Sequence, residues 1–359
     1  MIEHPTRRAV LAGTSLLGAA AALPAAAREL GKATDAAAPF RTPHKYGKLV
    51  LAGTQEKGRF DERLVDCPFV FSANDRFYLT YAGWDGVGYQ TGLVESRDLV
   101  NWTNRQLIMA RDPHDPVTRY NVNMASILRE NELYSPGRLI KVNGRYLGAW
   151  HAYPGAGYEE GAAVIGLAWS DDLIHWERTP PILFPQDGAA WERGGLYKPY
   201  LVKNGDTYLL FYNAKTAEKR WHEQTGLATS KDLETWTRFP GSPLIRNGQP
   251  GASWDDRFAS DPAVYTHAGQ WAMFYFGLAQ DGKARDLLAL GKTPTSFAKM
   301  PEILVDAGAP GTVDDDYAHK PSLVYHKGDL YHFYCAVSGK YPNDVRGISV
   351  ARSRPWAAA

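Results

Sequence analysis

Polar or ionisable residues recur within two positions before a proline in five segments of the chain. Aligned on that proline, the preceding positions hold Asp66, Ser135, Lys198, Asp261 and Lys320. One such Asp is most simply a turn former that bonds to its own backbone. Two carboxylates at the same place in different segments favour a site, because hydrolysis of a glycosidic bond needs one group to activate water or attack and another to protonate the leaving oxygen.

Two residues beside these positions are candidate proton donors. His319 directly precedes Lys320, and Glu132 is the glutamate that lies beside such a segment. Asp316 belongs to an acidic run three residues before His319. That run is compatible with a solvated loop, with a cation site, or with Asp316 orienting His319 and raising its pKa.

Other residues are candidates for substrate contact. Trp84, Trp191 and Trp254 lie in predicted loops, where an aromatic face either stacks on a sugar ring or covers the end of a core. His151 ends a predicted strand, so core packing and substrate contact are both compatible with its position. Arg257 would bind a carboxylate or sulfate group of the substrate, although solvation at the surface is the more common role of an arginine. Ser135, Lys198 and Lys320 complete the predicted substrate-binding set.

A repeat specifies the elements that must position these residues. The motif Ser-x-Asp-Leu-x-x-Trp ends at Trp102, Trp176 and Trp236, and degenerate copies end at Phe297 and Trp356. An alternating hairpin with a Gly- or Asn-containing turn precedes each copy, as in 137–150 and 199–212. The pattern predicts an all-β, five-bladed β-propeller with four antiparallel strands per blade.

The predicted ring has to close, because an open last blade would leave a sheet edge unpaired. Residues 46–52 have strand character and are expected to supply the outer strand of the last blade, beside residues 347–352. The alternative, two separate β domains, is disfavoured because no linker interrupts the repeats. In a propeller the first strand of each blade lines the channel, so the residues before the prolines are expected to meet there.

The composition excludes several classes of protein. Lys and Arg total 40 against 39 Asp and Glu, which gives no field that would gather nucleic acid or an anionic membrane. Two cysteines are too few for a disulfide scaffold or a four-thiolate metal site, and both are expected to be buried thiols. The 11 Trp, 20 Tyr and 34 Gly favour a β-rich chain with many turns.

The N-terminus resembles an export signal. Arg7 and Arg8 precede an Ala- and Leu-rich stretch that ends in small residues, which predicts a twin-arginine signal peptide over 1–27 and a periplasmic or secreted protein. A membrane anchor and an ordinary Sec signal are the alternatives. Residues 28–45 lack periodicity and are predicted to be a flexible leader, followed by a catalytic domain over 46–359.

The repeat and the Asp-Pro opening together resemble the five-bladed propeller glycosidases, the group of glycoside hydrolase families 32, 43, 68, 117 and 130. The resemblance implies that Asp66 is the catalytic base and that Asp261 tunes a pKa. Family 43 has a Glu acid in the next blade, where this chain has Ala318-His319-Lys320-Pro321. That departure is similar to family 117, the 3,6-anhydro-L-galactosidases, whose acid is a His. His319 is thereby implied as the acid, with Glu132 in reserve.

These observations predict an exported, exo-acting and inverting glycoside hydrolase that acts on oligosaccharides from plant or algal polysaccharides. A non-catalytic carbohydrate-binding propeller and a phosphorylase similar to family 130 are the alternatives. No cofactor or catalytic metal is expected, although a structural cation such as calcium in the channel is compatible with the sequence. Carbohydrate is the expected partner, with neither nucleic acid nor membrane, and the oligomeric state stays open.

Overall fold

A computed structural model describes residues 35–340 and 343–357 of the chain. Backbone contacts divide the chain into two compact units, residues 1–39 and 40–359, and all described strands belong to the second. The described helices are three short 3-10 turns: Ala38–Phe40, Pro185–Asp187 and Ala190–Glu192. Within the described ranges, no helix has the length and apolar composition needed to cross a membrane. The predicted signal peptide, 1–27, lies outside the described residues.

The strands pair in five successive antiparallel groups, which we number in chain order. Group 1 contains β3 (Leu64–Ala73), β4 (Arg76–Trp84), β5 (Tyr89–Ser96) and β6 (Thr103–Met109). Group 2 contains β7 (Asn123–Ile127), β8 (Lys141–Val142), β9 (Arg145–Ala152), β10 (Val164–Ser170) and β11 (Glu177–Leu183). Group 3 contains β12 (Gly195–Asn204), β13 (Thr207–Lys215), β14 (Glu223–Ser230) and β15 (Thr237–Arg238).

The last two groups follow the same order. Group 4 contains β16 (Phe258–His267), β17 (Gln270–Leu278), β18 (Ala284–Thr293) and β19 (Ser296–Val305). Group 5 contains β20 (Tyr317–His326), β21 (Asp329–Ser338) and β22 (Val345–Arg352), together with β1 (His44–Lys45) and β2 (Leu51–Ala52). The first strands β3, β7, β12, β16 and β20 each contact the next, and β20 contacts β3. The first strands therefore form a closed ring.

Short turns explain one hairpin in each of groups 1, 2, 4 and 5. Asn74 and Asp75 both have positive φ, of 48° and 58°, as a two-residue type I′ turn requires. The pairs Asn143-Gly144, Ala268-Gly269 and Lys327-Gly328 have the same handedness. Such turns match the right-handed twist of the strands, so each hairpin is specified by its local sequence.

The repeated Ser-x-Asp-Leu-x-x-Trp motif forms the turn between the third and fourth strands. In group 2 the Asp172 carboxylate accepts backbone N–H groups from Ile174 and His175, and Ser170 Oγ accepts the N–H of Leu173. Trp176 Nε1 then donates to the Leu173 carbonyl at 2.9 Å. Groups 1 and 3 repeat the Ser and Asp hydrogen bonds. The motif therefore satisfies its own turn.

Group 2 departs from the predicted pattern. The sequence places its first hairpin at 137–150, but the first strand is β7, which pairs with the end of β9. β8 pairs with the start of β9 and is only two residues long. Residues 128–140 are inserted between β7 and β8. The insertion splits the inner strand, and the sequence pattern shows only its second part, β8, as a hairpin with β9. The predicted alignment of Ser135 with the other segments is therefore wrong.

The N-terminal segment completes group 5. β1 and β2 both pair antiparallel with β22, and β2 lies within the 46–52 segment. Lys45 also forms an ion pair with Asp314 at 2.6 Å. The prediction of a flexible leader over 28–45 is wrong for its last part, because Phe40 and Thr42 are buried and His44–Lys45 forms a strand. These residues cover a sheet edge that would otherwise be open.

Candidate active site

A β-bulge before the proline aims one side chain of the first strand in four groups. The register shifts at Cys67, Lys198, Asp261 and Lys320, whose φ angles are 56°, 49°, 51° and 68°. Left-handed φ at a residue other than Gly costs free energy, and bulges with this feature cluster at functional sites. In group 2 the shift falls at Ala125. Cys67 therefore occupies the repeated position, and Asp66 lies one residue before it.

Asp66 is held by four hydrogen-bond donors and is buried, with no exposed surface. Its Oδ2 accepts from Lys320 Nζ at 2.8 Å, from Arg346 Nη1 at 2.9 Å and from the Tyr158 hydroxyl at 2.9 Å. Its Oδ1 accepts the backbone N–H of Cys67 at 2.7 Å. We call Asp66, Tyr158, Lys320 and Arg346 the Asp66 network.

Charge compensation makes Asp66 a weak base. Burial opposes its ionisation, but the charges of Lys320 and Arg346 outweigh burial and hold its pKa well below the usual range. Taking up a proton would leave these two buried cations without their counter-charge. The general-base role that the resemblance implies for Asp66 does not fit this environment.

Asp261 is buried in the opposite electrostatic state. Burial is the main cause that raises its pKa to about 7, and the nearby Glu223 and Glu159 carboxylates raise it further against the pull of Lys198 and Lys320. Its Oδ1 accepts from Asn213 Nδ2 at 3.3 Å. Its Oδ2 is buried and has no hydrogen-bond partner within the described ranges. A substantial fraction of Asp261 thus keeps its proton near neutral pH, and one of its oxygens is left for a further partner.

Glu223 is the neighbouring carboxylate, and sequence reasoning missed it. It lies at the start of β14 and accepts from Trp221 Nε1 at 2.8 Å and from Ser260 Oγ at 2.7 Å. Asn213 Nδ2 donates to Glu223 Oε2 at 3.3 Å as well as to Asp261. The Asn213 amide therefore lies between Asp261, whose pKa is raised, and the second carboxyl group, Glu223. Glycoside hydrolysis uses a pair of carboxyl groups of this kind.

His319 lies in the same buried region in a state that does not suit a proton donor. Its Nδ1 lies 3.0 Å from the Cys335 carbonyl oxygen, so Nδ1 carries the proton and Nε2 does not. Burial, then the charge of Lys320, lowers its pKa well below the usual range. The acid role implied for His319 does not fit a neutral ring without a proton on Nε2.

The groups that could hold a cation are already occupied. Candidate ligand atoms of Asp66, His319 and Cys335 lie within 4.8 Å of one another. Asp66 is paired with Lys320 and Arg346, and two cations on a ligand oppose metal binding. The small cavity in the channel is lined by Lys198, Lys320 and Asp261 as its charged residues, which is not the oxygen-rich set that calcium prefers. These residues do not fit a channel cation.

His151 of group 2 and Lys198 of group 3 extend the site. The Lys198 backbone N–H donates to His151 Nδ1 at 3.3 Å, so the proton of this neutral ring is on Nε2. Burial, followed by the Lys198 charge, lowers the His151 pKa well below its usual value. His151 is 4% exposed and Lys198 is half-buried. The structure brings both predicted residues into the region of Asp261.

Two predicted site residues lie at the other end of the strands. Glu132 bonds to Thr266 and His267, and the Ser135 carbonyl accepts the backbone N–H of Tyr325. Thr266 is five residues beyond Asp261 on β16, which is about 16 Å at the rise of a strand. The predictions of Glu132 as an acid and Ser135 as a substrate contact are therefore wrong. Both residues belong to the insertion 128–140, which lies at the opposite end of the strands from Asp261.

The candidate tryptophans have three different environments. Trp191 packs in the core with its ring parallel to Tyr212, at an angle of 10°. Trp84 packs edge-on against Tyr89 and Tyr158, next to the Asp66 network. Trp254 is 43% exposed, and the Arg285 guanidinium lies 4.6 Å from its ring centre. Sugar stacking is therefore wrong for Trp191, whereas Trp254 presents an open face.

Arg257 and Asp316 differ in their relation to the site. The Arg257 guanidinium lies over the rings of Trp221 and Phe258, and Trp221 donates to Glu223. Asp316 pairs with Lys340 instead of reaching His319. The adjacent Asp314 accepts from Tyr334 and pairs with Lys45. The acidic run is therefore a structural element of group 5, and substrate binding by Asp316 is not supported.

Sequence reasoning also missed residues that approach from loops and from third strands. Tyr158 and Glu159 lie in the loop between β9 and β10, and Glu159 Oε1 is 4.0 Å from Lys320 Nζ. Lys215, at the end of β13, donates to the Glu159 carbonyl. Arg346 lies near the start of β22, as Glu223 does in β14. For Arg346 and Glu223, the signal in the sequence is a charged residue at the start of the third strand of a group.

Comparisons with known proteins place the chain near glycoside hydrolases. Residues 129–289 match the family model described as glycosyl hydrolases family 32 N-terminal domain. A levanase of Bacillus subtilis (strain 168) is 29% identical over 154 residues, which cover 40% of this chain and 21% of the levanase. The chain resembles the propeller glycoside hydrolases. The chain spans only about a fifth of that curated relative's length.

Solved structures give the same fold over most of the chain. The structure of a BT0996 RGII complex is 26% identical, with a TM-score of 0.77 over 90% of this chain and 95% of the other. Zg3597, a family 117 glycoside hydrolase of the marine bacterium Zobellia galactanivorans, is 12% identical, with a TM-score of 0.59 over 86% and 87% of the two chains. The second likeness is one of fold alone, so the specific closeness to family 117 stays a prediction.

Proposed function

We propose that the chain is a five-bladed propeller glycoside hydrolase in which Asp261 protonates the leaving oxygen. The observation that carries this proposal is a buried carboxyl group with a pKa of about 7 and an unpartnered Oδ2, one amide away from Glu223. A carboxylic acid that keeps its proton near neutral pH suits general acid catalysis. The five strand groups would then be the five blades.

Glu223 is the proposed partner of Asp261. Three donors hold its carboxylate in one orientation, and it has no cation in hydrogen-bond contact within the described residues. The facing oxygens of the two carboxyl groups both lie 3.3 Å from Asn213 Nδ2, so they are at most about 6.6 Å apart, between the spacings typical of retention and of inversion. We propose inversion of the anomeric configuration, which the product analysis below tests. Asp66 instead orients Lys320, Arg346 and Tyr158 around the sugar. This assignment replaces the base that the resemblance implies.

The loop between β9 and β10 supports the exo mode of attack that we propose. Tyr158 and Glu159 lie over the Asp66 side of the site, and Lys215 holds the Glu159 carbonyl. A site covered on one side accepts a chain end more readily than the middle of a polymer. Oligosaccharides of plant or algal polysaccharides are the proposed substrates, with RGII oligosaccharides as the first to test because of the similar RGII complex. We further propose export through the twin-arginine signal at 1–27.

The test is hydrolysis of RGII, arabinan, agar, ulvan and xylan oligosaccharides by the wild type, Asp261→Asn and Glu223→Gln. Both variants are expected to lose about 10²–10⁴-fold in kcat while keeping a cooperative thermal melt. Asp206→Asn, in an exposed turn, is the matched control and should keep full activity. Activity of Asp261→Asn within a few-fold of the wild type would rule out Asp261 as the acid. NMR of the first sugar released decides between inversion and retention.

A non-catalytic sugar-binding propeller is the second candidate. It would bind the same oligosaccharides without cleaving them, and Asp261→Asn would then leave their affinity unchanged. The raised pKa of Asp261 beside Glu223 favours an enzyme over a binding protein. Simple binding of a sugar does not require a carboxyl group with a raised pKa.

A further inference from the structure

Lys198 is a cation of the site that has no hydrogen-bonded or ion-paired partner for its side chain among the described residues. Its side chain forms no hydrogen bond or ion pair with the described residues, and only its backbone N–H is engaged. By contrast, Lys320 is paired with Asp66, and Arg346 with Asp66 and Asp344. A half-buried ammonium group in a strained bulge without a counter-charge indicates a ligand that supplies one.

The charges around Lys198 point the same way. Its charge acts on Asp261, His151 and Cys67, so Lys198 of group 3 lies near groups 1, 2 and 4 of the ring. The cations Lys198, Lys215, Lys320 and Arg346 face the carboxylates Asp66, Glu159 and Glu223. Asp261, whose pKa is raised to about 7, is only partly ionised at neutral pH and adds only part of a negative charge. The region therefore has an excess of unpaired cations: with Asp344 counted, four cations face four carboxylates, but no carboxylate of the described residues pairs with Lys198 or Lys215.

Neutral donors and an aromatic enclosure accompany this excess. The His151 ring carries its proton on Nε2, because Nδ1 accepts the Lys198 N–H. Lys215 lies over the rings of Tyr153, Tyr197 and Trp221, at 5.3, 5.9 and 5.4 Å, and no carboxylate pairs with it among the described residues. Two lysines without carboxylate partners and one imidazole N–H suit an oxyanion better than a neutral hydroxyl group.

We propose that Lys198 binds an oxyanion of the substrate beside Asp261, the carboxylate of a uronosyl residue being the source that fits a hydrolase. This inference rests on the proposed function and adds the substrate class, an acidic oligosaccharide. Inorganic phosphate is the other source of the same chemistry. In that case a phosphate oxygen would bond to the anomeric carbon while the glycosidic bond breaks and Asp261 gives its proton to the leaving oxygen.

The test is equilibrium binding, which does not depend on turnover. Isothermal titration with D-galacturonate, D-galactose and inorganic phosphate compares sugars that differ only in the carboxylate. We expect the wild type to bind galacturonate about tenfold more tightly than galactose, the value of one charge-assisted hydrogen bond. Lys198→Met should abolish that preference, Lys198→Arg should keep it, and Lys203→Met, an exposed lysine on the same strand, should leave it unchanged.

Each outcome decides the proposal. Equal affinities of galacturonate and galactose for the wild type, with no binding of phosphate, would overturn it even if no variant folded. An unchanged preference in a folded Lys198→Met would also overturn it. Phosphate binding that Lys198→Met removes, together with release of a sugar phosphate, would keep the oxyanion site and assign it to phosphate. Preference for galacturonate without hydrolysis of any oligosaccharide would keep the site and refute the proposed hydrolase.

Discussion

At the scale of single residues, two aspartates that look equivalent in the sequence have opposite electrostatic states. Asp66 accepts from the side chains of Lys320, Arg346 and Tyr158, whereas Asp261 accepts from the Asn213 amide alone among the residues that the structure describes. Charged partners favour the ionised carboxylate, and burial without them favours the neutral acid. The difference separates a residue that organises the site from one that can give a proton.

The first residue-scale prediction concerns pH. Asp261 must hold its proton to act as an acid, and its pKa is raised to about 7. We therefore expect kcat/KM to fall as the pH rises through about 7, and the alkaline limb to be absent from the residual activity of Asp261→Asn. Initial rates from pH 4 to pH 9 measure this. A wild-type rate that stays constant from pH 6 to pH 9 would contradict the assignment.

The same raised pKa has a stability consequence of defined sign. The folded state binds the Asp261 proton more tightly than the unfolded state, so this contribution to stability is present at low pH and is lost as the pH rises towards about 7. Asp66 has the opposite sign, and its contribution is lost as the pH falls below the usual carboxylate range. Thermal melts of Asp261→Asn should therefore depend less on pH between 4 and 7 than melts of the wild type.

Another residue-scale prediction tests whether Asp66 stabilises the fold by compensating the charges of Lys320 and Arg346. Asp66→Asn leaves Lys320 and Arg346 buried without their counter-charge, and we expect a loss of about 3–5 kcal/mol in the free energy of unfolding. In Asp66→Asn/Lys320→Met one of the two cations is gone, so that double variant should be more stable than Asp66→Asn alone. Urea unfolding measures both, with Asp75→Asn in an exposed turn as the control. A double variant less stable than the single one would argue against charge compensation.

At the scale of elements, the tyrosines that end four hairpins have a shared structural role. In group 1, the Tyr81 hydroxyl donates to Asp61, which also pairs with Arg105 of β6. Groups 3, 4 and 5 repeat this arrangement of acid, tyrosine and cation. The members are Glu192, Tyr212 and Arg238; Asp255, Tyr275 and Lys299; and Asp314, Tyr334 and Lys45. In group 2, Trp150 donates to the Leu167 carbonyl instead.

These contacts tie a loop, a second strand and a fourth strand together within each of four groups. Tyr275→Phe removes the hydroxyl that donates to Asp255 at 3.0 Å. We expect a loss of about 1.5–3 kcal/mol in the free energy of unfolding, the range for a hydrogen bond to a charged group. The control is Tyr146→Phe, because no hydrogen bond of the Tyr146 hydroxyl is found among the described residues. Equal stability of the two variants would show that the tyrosine contributes through its ring alone.

At the scale of the whole molecule, ring closure depends on the N-terminal segment. β1 and β2 pair with β22, and Lys45 supplies the cation of the group 5 arrangement. A chain that begins at residue 53 exposes the edge of β22 and leaves Asp314 without Lys45. We expect this chain to melt at a much lower temperature or to aggregate, whereas a chain that begins at residue 40 should keep a cooperative melt.

Calorimetry and size-exclusion chromatography of the two chains check this prediction. Equal melting temperatures would mean that residues 40–52 are dispensable for closure. The comparison also tests why the predicted leader is too long. Residues 40–45 lack periodicity because their partners are in β21 and β22, and an edge strand of two residues leaves no alternating pattern.

Much of the fold was predictable because its determinants are local. Alternation over a strand, a two-residue turn with positive φ and a turn motif that bonds to itself all act within a few residues of sequence. The residues Asp261, His319, Lys198 and Lys320 were found in the same way, from their place before a proline. The split first strand of group 2 was missed, because an insertion interrupts that local signal.

The partners of those residues were decided only by the tertiary structure. Lys320 and Arg346 meet Asp66 across 254 and 280 residues of chain, because closure of the ring brings groups 1 and 5 side by side. Asn213 and Glu223 reach Asp261 from the neighbouring group. A carboxyl group's pKa depends on burial and on the charges within a few ångströms, and neither can be read from the residues beside it in sequence. The sequence alone therefore located the two aspartates. Only the closed ring surrounds Asp66 with cations that lower its pKa and leaves Asp261 buried with a raised pKa.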